Sequence, residues 1–324
     1  PRPVPSFPAL PSPTADCEHG VGCVGVWPAG GFADRLRPFL VERQRPLVAT
    51  LPRRPPEPSD SVREAVRAIA ARADVVVVMA QLAVRLLANR YGVTKRPVVI
   101  PHGMPAVTRS GRHRLKRQLG IDGRTMISTF GLVDPRKGLE YMIEAMPEVV
   151  ERFPTSIYLI VGQTHPELQR KAGETYRNEL VERVAHLGLD EHVGFVNQYL
   201  SQREIVDHLL ASDVYVTPYL DPNQITSGTL AYALGAGKAI VSTRYLHATE
   251  ALAEDRGILV DFRSAEQLAA GALAILSDPA RKEGMERRAY AYGAKAAWPA
   301  VGTRTLELMK DLVDHHPRST KRIA

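Results

Sequence analysis

The residues best suited to chemistry lie in two glycine-containing loops, each between a short β-branched run and a helical pattern. The first is Gly131-Leu-Val-Asp-Pro-Arg136-Lys137-Gly138. A loop that leaves a strand and opens a helix presents backbone N–H groups and the positive end of a helix dipole, which together hold phosphate. Arg136 and Lys137 add two cations, and Gly131 and Gly138 let the backbone come close. The competing reading is a surface loop whose glycines serve only the turn. The second loop is Thr217-Pro-Tyr-Leu-Asp-Pro-Asn-Gln224-Ile-Thr226-Ser227-Gly228-Thr229. Its hydroxyls and amides at a helix start suit a diphosphate or the hydroxyls of a sugar. Simple N-capping by Ser227 or Thr226 needs only one of these groups and leaves the rest of the polar run unexplained.

Other chemistries find less support. Cys17 and Cys23 cannot build a disulfide framework and lack partners at zinc-binding spacing, so a reducing, cytoplasmic setting is expected. No carboxylate–histidine cluster has metal spacing, and neither a metal nor a cofactor is expected. The 324 residues, 44% hydrophobic and 24% charged, fit a soluble globular protein long enough for two domains. No run approaches the roughly 20 apolar residues of a membrane-spanning helix. A net charge of +7 favours anionic partners: phosphates, nucleotides or an acidic membrane surface. Lys and Arg are spread along the chain, apart from the run Arg109–Arg117 between two structured regions, and aromatics make up only 6%. Nucleic acid is therefore not an expected partner. The opening residues show no apolar leader, so no signal peptide is expected; a fragment of a longer chain is the other expectation.

The elements that must position the two loops follow from periodicity. Thirteen of the 25 prolines precede residue 60, and five glycines fall between His19 and Gly31, so residues 1–45 read as a poorly ordered segment. From Pro46, strands at Leu47–Leu51, Val75–Met79 and Pro97–Ile100 alternate with helices at Ser61–Arg72 and Leu82–Tyr91. His102, Gly103 and Pro105 punctuate a linker. A second series places strands at Met126–Phe130, Ile157–Val161, Val193–Val196, Val214–Thr217, Ala239–Ser242 and Ile258–Val260. Helices fill the gaps, from Gly138–Arg152 to a last one near Val301–Val313. This alternation builds open parallel sheets whose ligands sit beyond the carboxyl ends of the strands. The domain reading is 46–105 as a partial N-terminal unit and 106–296 as a Rossmann-like unit. A C-terminal helix in 297–324 is expected to cross back to the first.

From about Ala73 to Val313 the chain resembles the retaining glycosyltransferases of the GT-B fold, family 4. The resemblance rests on Val98–Gly103 (VVIPHG), Phe130–Ala145 (FGLVDPRKGLEYMIEA), Ala211–Pro218 (ASDVYVTP) and Ser227–Thr243, in that order. It implies two Rossmann-like parallel-sheet domains facing a cleft, the N-terminal one truncated or divergent here. It also implies transfer of a hexosyl group from a nucleotide diphosphate sugar to a carbohydrate or other hydroxyl acceptor with retention. In that family a Gly-Arg-x4-Lys-Gly loop binds the donor diphosphate. Lys137, Gly131 and Gly138 match it, while Leu132 stands in place of the arginine, with Arg136 as a substitute. Two family glutamates, one near the transferred sugar and one on the ribose, correspond to Gln224 and Tyr232. Gln224 can hydrogen-bond sugar hydroxyls but supplies no negative charge to an oxocarbenium-like centre.

On this reading Lys137 and Gln224 carry the chemistry. Gly131, Arg136, Gly138, Gln163, Asn197, Thr226, Ser227, Gly228, Thr229 and Tyr232 bind the donor, and His102 faces the cleft. Gln163-Thr-His-Pro166 also reads as a turn, and His247 with Glu250 as a salt-linked surface helix; Asp213 reads as structural. A non-catalytic nucleotide-sugar binder or scaffold on the same fold is the alternative, and an epimerase or phosphorylase a third. The oligomeric state is not legible. Contact with the inner face of a membrane stays open.

Overall fold

The structure, a computed structural model, describes residues 18–21, 46–51 and 57–315. Cys17, Cys23 and Pro1–Pro13 lie outside the described residues. The chain divides into two units, one made of Pro1–Pro101 with Gly302–Ala324 and the other of His102–Val301.

In the first unit, strands β1 (Glu18–Val21), β2 (Leu47–Thr50), β3 (Val75–Val78) and β4 (Val98–Val99) form a parallel sheet in the order β1-β2-β3-β4. Strand β1 lies inside the segment 1–45 read as poorly ordered, and residues 18–21 are paired in the sheet there. Backbone pairing to β2 outweighs the glycine-rich local sequence, which carries no period to read. Helix α1 (Asp60–Arg72) starts where Ser59 accepts a hydrogen bond from the Val62 N–H, and it buries Val66, Ile69 and Ala70. Helix α2 (Gln81–Tyr91) ends at Gly92 in the left-handed region. Arg304 donates to the Val99 carbonyl at 3.0 Å, tying the C-terminal chain to β4 within this unit.

The second unit opens with helix α3 (Arg112–Gln118), set in the basic run that follows the linker and for which no helix was expected. The correction has a physical cause: Leu115 and Lys116 are buried, so tertiary packing gives these cations a helix that their spacing does not advertise. Then follow β5 (Thr125–Phe130), a 3-10 turn (Pro135–Lys137), α4 (Leu139–Arg152), β6 (Ser156–Val161), α5 (Pro166–Ala172) and α6 (Thr175–His186). Next come β7 (Val193–Val196), α7 (Gln202–Ala211), β8 (Val214–Thr217), α8 (Gly228–Gly235), β9 (Ile240–Thr243), α9 (Leu246–Ala251) and β10 (Ile258–Val260). Helices α10 (Ala265–Leu276), α11 (Pro279–Ala294) and α12 (Trp298–His315) complete the described chain. No helix among the described residues is long and apolar enough to cross a membrane.

The six strands are all parallel, in the order β10-β9-β8-β5-β6-β7. Chain order reverses between β5 and β8, which makes their carboxyl ends the crevice where ligands of doubly wound sheets bind. Both strands are buried on two faces, and alternation decides which core each side chain joins. Val214 and Val216 pack with Met142, Ile143 and Met146 of α4 and Leu268 and Ala272 of α10. Tyr215 packs on the other face with Leu230 and Leu234 of α8.

The opposite end of the sheet is held by charge. Asp213, just before β8, accepts from Lys116 Nζ at 2.5 Å and from the Met126 N–H at 2.8 Å. Glu286 on α11 accepts from Arg109 at 2.8 Å and Arg112 at 2.6 Å, with Lys282 at 3.4 Å. Asp213 is thus a structural residue of the amino-terminal strand edge. Lys238 is buried beside this group and donates to the Ser212 carbonyl at 2.7 Å; burial, reinforced by Arg112, pushes its pKa well down.

Candidate active site

At the reversal point the loop after β5 turns through Pro135–Lys137 into α4. Gly138 holds the turn at φ +59°, and a Cβ there would overlap the Pro218 carbonyl oxygen. Glycine is required on both counts. The Leu220 N–H donates to the Arg136 carbonyl at 2.9 Å, which joins this loop to the one after β8. Gly131 lies against Thr229: a Cβ on it would stand 3.2 Å from the threonine methyl.

Lys137 sends its ammonium onto the ring of Tyr219, 3.8 Å from the centroid. No carboxylate pairs with Lys137 among the described residues. Tyr219 is buried, and its hydroxyl lies 2.6 Å from Thr229 Oγ1, which lies 3.0 Å from Ser227 Oγ. Lys137, Tyr219, Thr229 and Ser227 therefore form one continuous group at the mouth of β5 and β8. Ser227 also caps α8 by accepting from the Leu230 N–H at 3.2 Å. The capping and the clustering expected as alternatives coexist.

The amide groups are not all available. The Ser227 N–H donates to His247 Nδ1 at 2.9 Å, whereas the amides of Gly228 and Thr229 have no acceptor among the described residues. Those two N–H groups at the start of α8, with Lys137, are what this end of the sheet offers an anion.

Arg136 pairs within its own loop. Its guanidinium is locked on Asp134 by two bonds, Nε to Oδ1 and Nη2 to Oδ2, each 2.9 Å. The Arg136 hydrogen bonds hold the Asp134 carboxyl below the usual carboxylate range. Asp134 also accepts from the Arg136 N–H at 2.9 Å, capping the start of the 3-10 turn. The pair sets the Arg136 charge against a carboxylate of its own loop.

His247 and Glu250 do fall on a helix, α9, but His247 is buried, at 9% exposure, not on the surface. Burial, with a smaller contribution from His102, pushes its pKa down to about 4. His102 is half-buried, its Nδ1 donating to the Gly103 carbonyl at 2.7 Å. Its ring covers the first residue of α8, since a Cβ on Gly228 would lie 3.0 Å from His102 Nε2. A solvated patch of sequence gives no hint of either burial. The only available signal was the position of His247 just after the end of β9.

The remaining expected residues scatter. Gln224 Nε2 donates to the Thr226 carbonyl at 3.2 Å, which folds the loop on itself. Tyr232, half-buried on α8, places its ring 6.0 Å from that of Phe130, and its hydroxyl has no partner among the described residues. The Gln163 carbonyl accepts from the Val133 N–H at 2.9 Å, and Val133 bridges Thr164, so this segment braces the first loop before α5 begins. A Cβ on Gly162 would overlap the Gly131 carbonyl oxygen. Asn197 is exposed beyond β7, the edge strand of the sheet. No group of three or more His, Cys, Asp or Glu among the described residues could hold a metal ion.

Two parallel-sheet units, one with the doubly wound order and an anion-directed crevice at its reversal point, define a GT-B glycosyltransferase fold. The solved structure of Anabaena HepE in complex with UDP superimposes with a TM-score of 0.69 at 21% identity, covering 83% of this chain and 73% of that one. Residues 111–294, more than half of the chain, match the glycosyl transferases group 1 family, and the chain belongs to that family. It is 28% identical over 189 residues to the phosphatidyl-myo-inositol mannosyltransferase of Mycolicibacterium smegmatis, covering 58% of this chain and 45% of the relative. It is 26% identical over 266 residues to a GDP-mannose-dependent α-(1-6)-phosphatidylinositol monomannoside mannosyltransferase of the same organism, covering 76% and 65%. The chain thus spans 45% to 65% of the length of these two relatives.

Proposed function

We propose that the chain transfers a sugar from a nucleotide diphosphate sugar to a hydroxyl acceptor with retention of anomeric configuration. The observation that carries the reading is the continuity of Lys137, Tyr219, Thr229 and Ser227 at the reversal point, beside two amides that have no acceptor among the described residues. In the reaction the bond from the anomeric carbon to the phosphate oxygen breaks and the diphosphate leaves with the electron pair. The acceptor oxygen bonds to that carbon and passes its proton to the departing diphosphate oxygen. Lys137 and the N–H groups of Gly228 and Thr229 stabilise the charge gathering on the diphosphate, a preorganised electrostatic role. Gln224 and Thr226 line the sugar, and the Tyr232 hydroxyl faces the ribose.

One observation favours a second reading, a nucleotide-sugar binder without turnover. Gln224 and Tyr232 bring no carboxylate to the places where the resembling family has two. The test separates them. Calorimetry with UDP, GDP, UDP-glucose and GDP-mannose, then assay of sugar release or transfer, should give binding and a product whose anomeric configuration matches the donor. Binding without any product supports the binder. An absence of binding to every nucleotide overturns both.

A further inference from the structure

Helix α9 begins without a capping side chain: Tyr245, before its first turn, makes no cap hydrogen bond. Its opening amides are satisfied by the carbonyls of the loop after β8. The Leu246 N–H donates to the Pro222 carbonyl and the His247 N–H to the Gln224 carbonyl, both at 3.0 Å. The His247 imidazole then accepts the Ser227 N–H through Nδ1 at 2.9 Å. One residue therefore grips the Gln224–Ser227 segment at both ends, its backbone on the first residue and its ring on the last. Such a grip fixes the ring's tautomer: Nδ1 must carry the lone pair and Nε2 the hydrogen. The nearby His102 has the opposite arrangement, Nδ1 donating to Gly103 and Nε2 left as the acceptor above Gly228.

We propose that His247 is a positioning residue that sets the Gln224–Ser227 loop against the sugar of the donor, acting through its neutral Nδ1 acceptor. This deepens the transfer reading and rests on it for the identity of the ligand. The Gln224 side chain donates to the Thr226 carbonyl two residues on, and Asp221 and Asn223 bond within the same turn. The imidazole stays unprotonated through the neutral range because burial disfavours its charge, so the acceptor is permanent under working conditions. A free side chain at the end of β9 would make no such demand on the tautomer.

The experiment compares H247F, H247N and wild type. Asparagine places Oδ1 where Nδ1 stands and keeps the acceptor; phenylalanine keeps the ring and loses it. Amide hydrogen exchange over 222–230 should accelerate about tenfold or more in H247F and return toward wild type in H247N, since an unsatisfied buried N–H loses its protection. Calorimetry supplies the functional arm. The added affinity of UDP-glucose over UDP, or of GDP-mannose over GDP, should fall roughly tenfold in H247F while affinity for the bare diphosphate falls less. H247N should recover the sugar increment. Unchanged exchange and an unchanged increment in a folded H247F overturn the role of His247 alone, as does H247N behaving no better than H247F. A wild-type chain that binds none of the four nucleotides overturns the transfer reading, and the sugar-positioning role with it.

Discussion

Lys137 rests on the face of Tyr219, 3.8 Å from the ring centroid, while the hydroxyl of the same tyrosine holds Thr229 at 2.6 Å. One buried side chain thus couples the cation of the first loop to the helix start of the second. Tyr219 in turn stacks on Tyr245 at 5.4 Å and 18°, so the platform under the lysine is itself supported.

Two variants separate ring from hydroxyl. Y219F keeps the cation–π contact and should cost about 1 kcal/mol of stability, with little change in diphosphate affinity. Y219L removes the platform, and affinity for UDP or GDP should drop about tenfold, in keeping with the ~0.5–2 kcal/mol of a partly desolvated cation–π contact. Urea unfolding and calorimetry on both variants give the comparison; equal affinities would show that the ring does not place Lys137.

Removing the ammonium is more severe for binding than for folding. K137A should weaken nucleoside diphosphate binding by about 10- to 100-fold, the range of a hydrogen bond to a charged group. Its unfolding midpoint should barely move, because the side chain is only half-buried and has no ion-pair partner among the described residues. Since Arg136 is neutralised by Asp134, R136A should change affinity far less than K137A.

Gly138 tests the geometry of the turn. G138A puts a methyl group into the Pro218 carbonyl at a backbone angle, φ +59°, that alanine adopts at a cost. Loss of more than about 1 kcal/mol of stability is expected, together with weaker diphosphate binding as the two loops part. Thermal unfolding with and without UDP reports both effects.

The buried imidazole gives a pH signature. His247 has a pKa of about 4 in the folded chain against 6.5 as its ordinary value. Between those values the unfolded chain binds more protons, so stability falls as pH drops through this window and is fully present above 6.5. The slope is about 1.4 kcal/mol per pH unit for one such group. Urea titrations at pH 7, 6 and 5 should show this decline in wild type and a shallower one in H247N.

A control lies at the far end of the sheet. E286A leaves Arg109, Arg112 and Lys282 without the carboxylate they share and should cost about 3–5 kcal/mol, as breaking a buried ion pair does. Nucleotide affinity measured on the folded fraction should be unaffected, because the network sits at the amino ends of the strands.

Much of the second unit was legible because strands such as Val214–Thr217 and helices such as Ala265–Leu276 carry their own period and capping residues. The first loop was legible for the same reason: Gly131 and Gly138 sit where a strand hands over to a helix. Three kinds of feature escaped. Strand Glu18–Val21 owes its existence to a neighbour 29 residues along in register, Leu47 with Glu18, which local sequence cannot announce. Helix Arg112–Gln118 is basic on its surface and is held by what it buries. The partners of Arg136 and His247, an aspartate two residues back and a backbone amide 20 residues away, are matters of side-chain direction. Residue type named the cation and the histidine, but only geometry showed that one pairs with its neighbouring carboxylate and the other accepts a loop amide.

Behind the amides of Gly228 and Thr229 the helix that carries them is wedged from two sides. A Cβ on Gly235 would overlap Met104 Sδ, and one on Gly293 of α11 would come within 2.6 Å of the Gly235 backbone. Backbones that approach so closely leave α8 no room to slide or roll. The cost of aligning its dipoles falls on folding, not on ligand capture, so an anion should meet a ready-made receptor and associate without a slow rearrangement step.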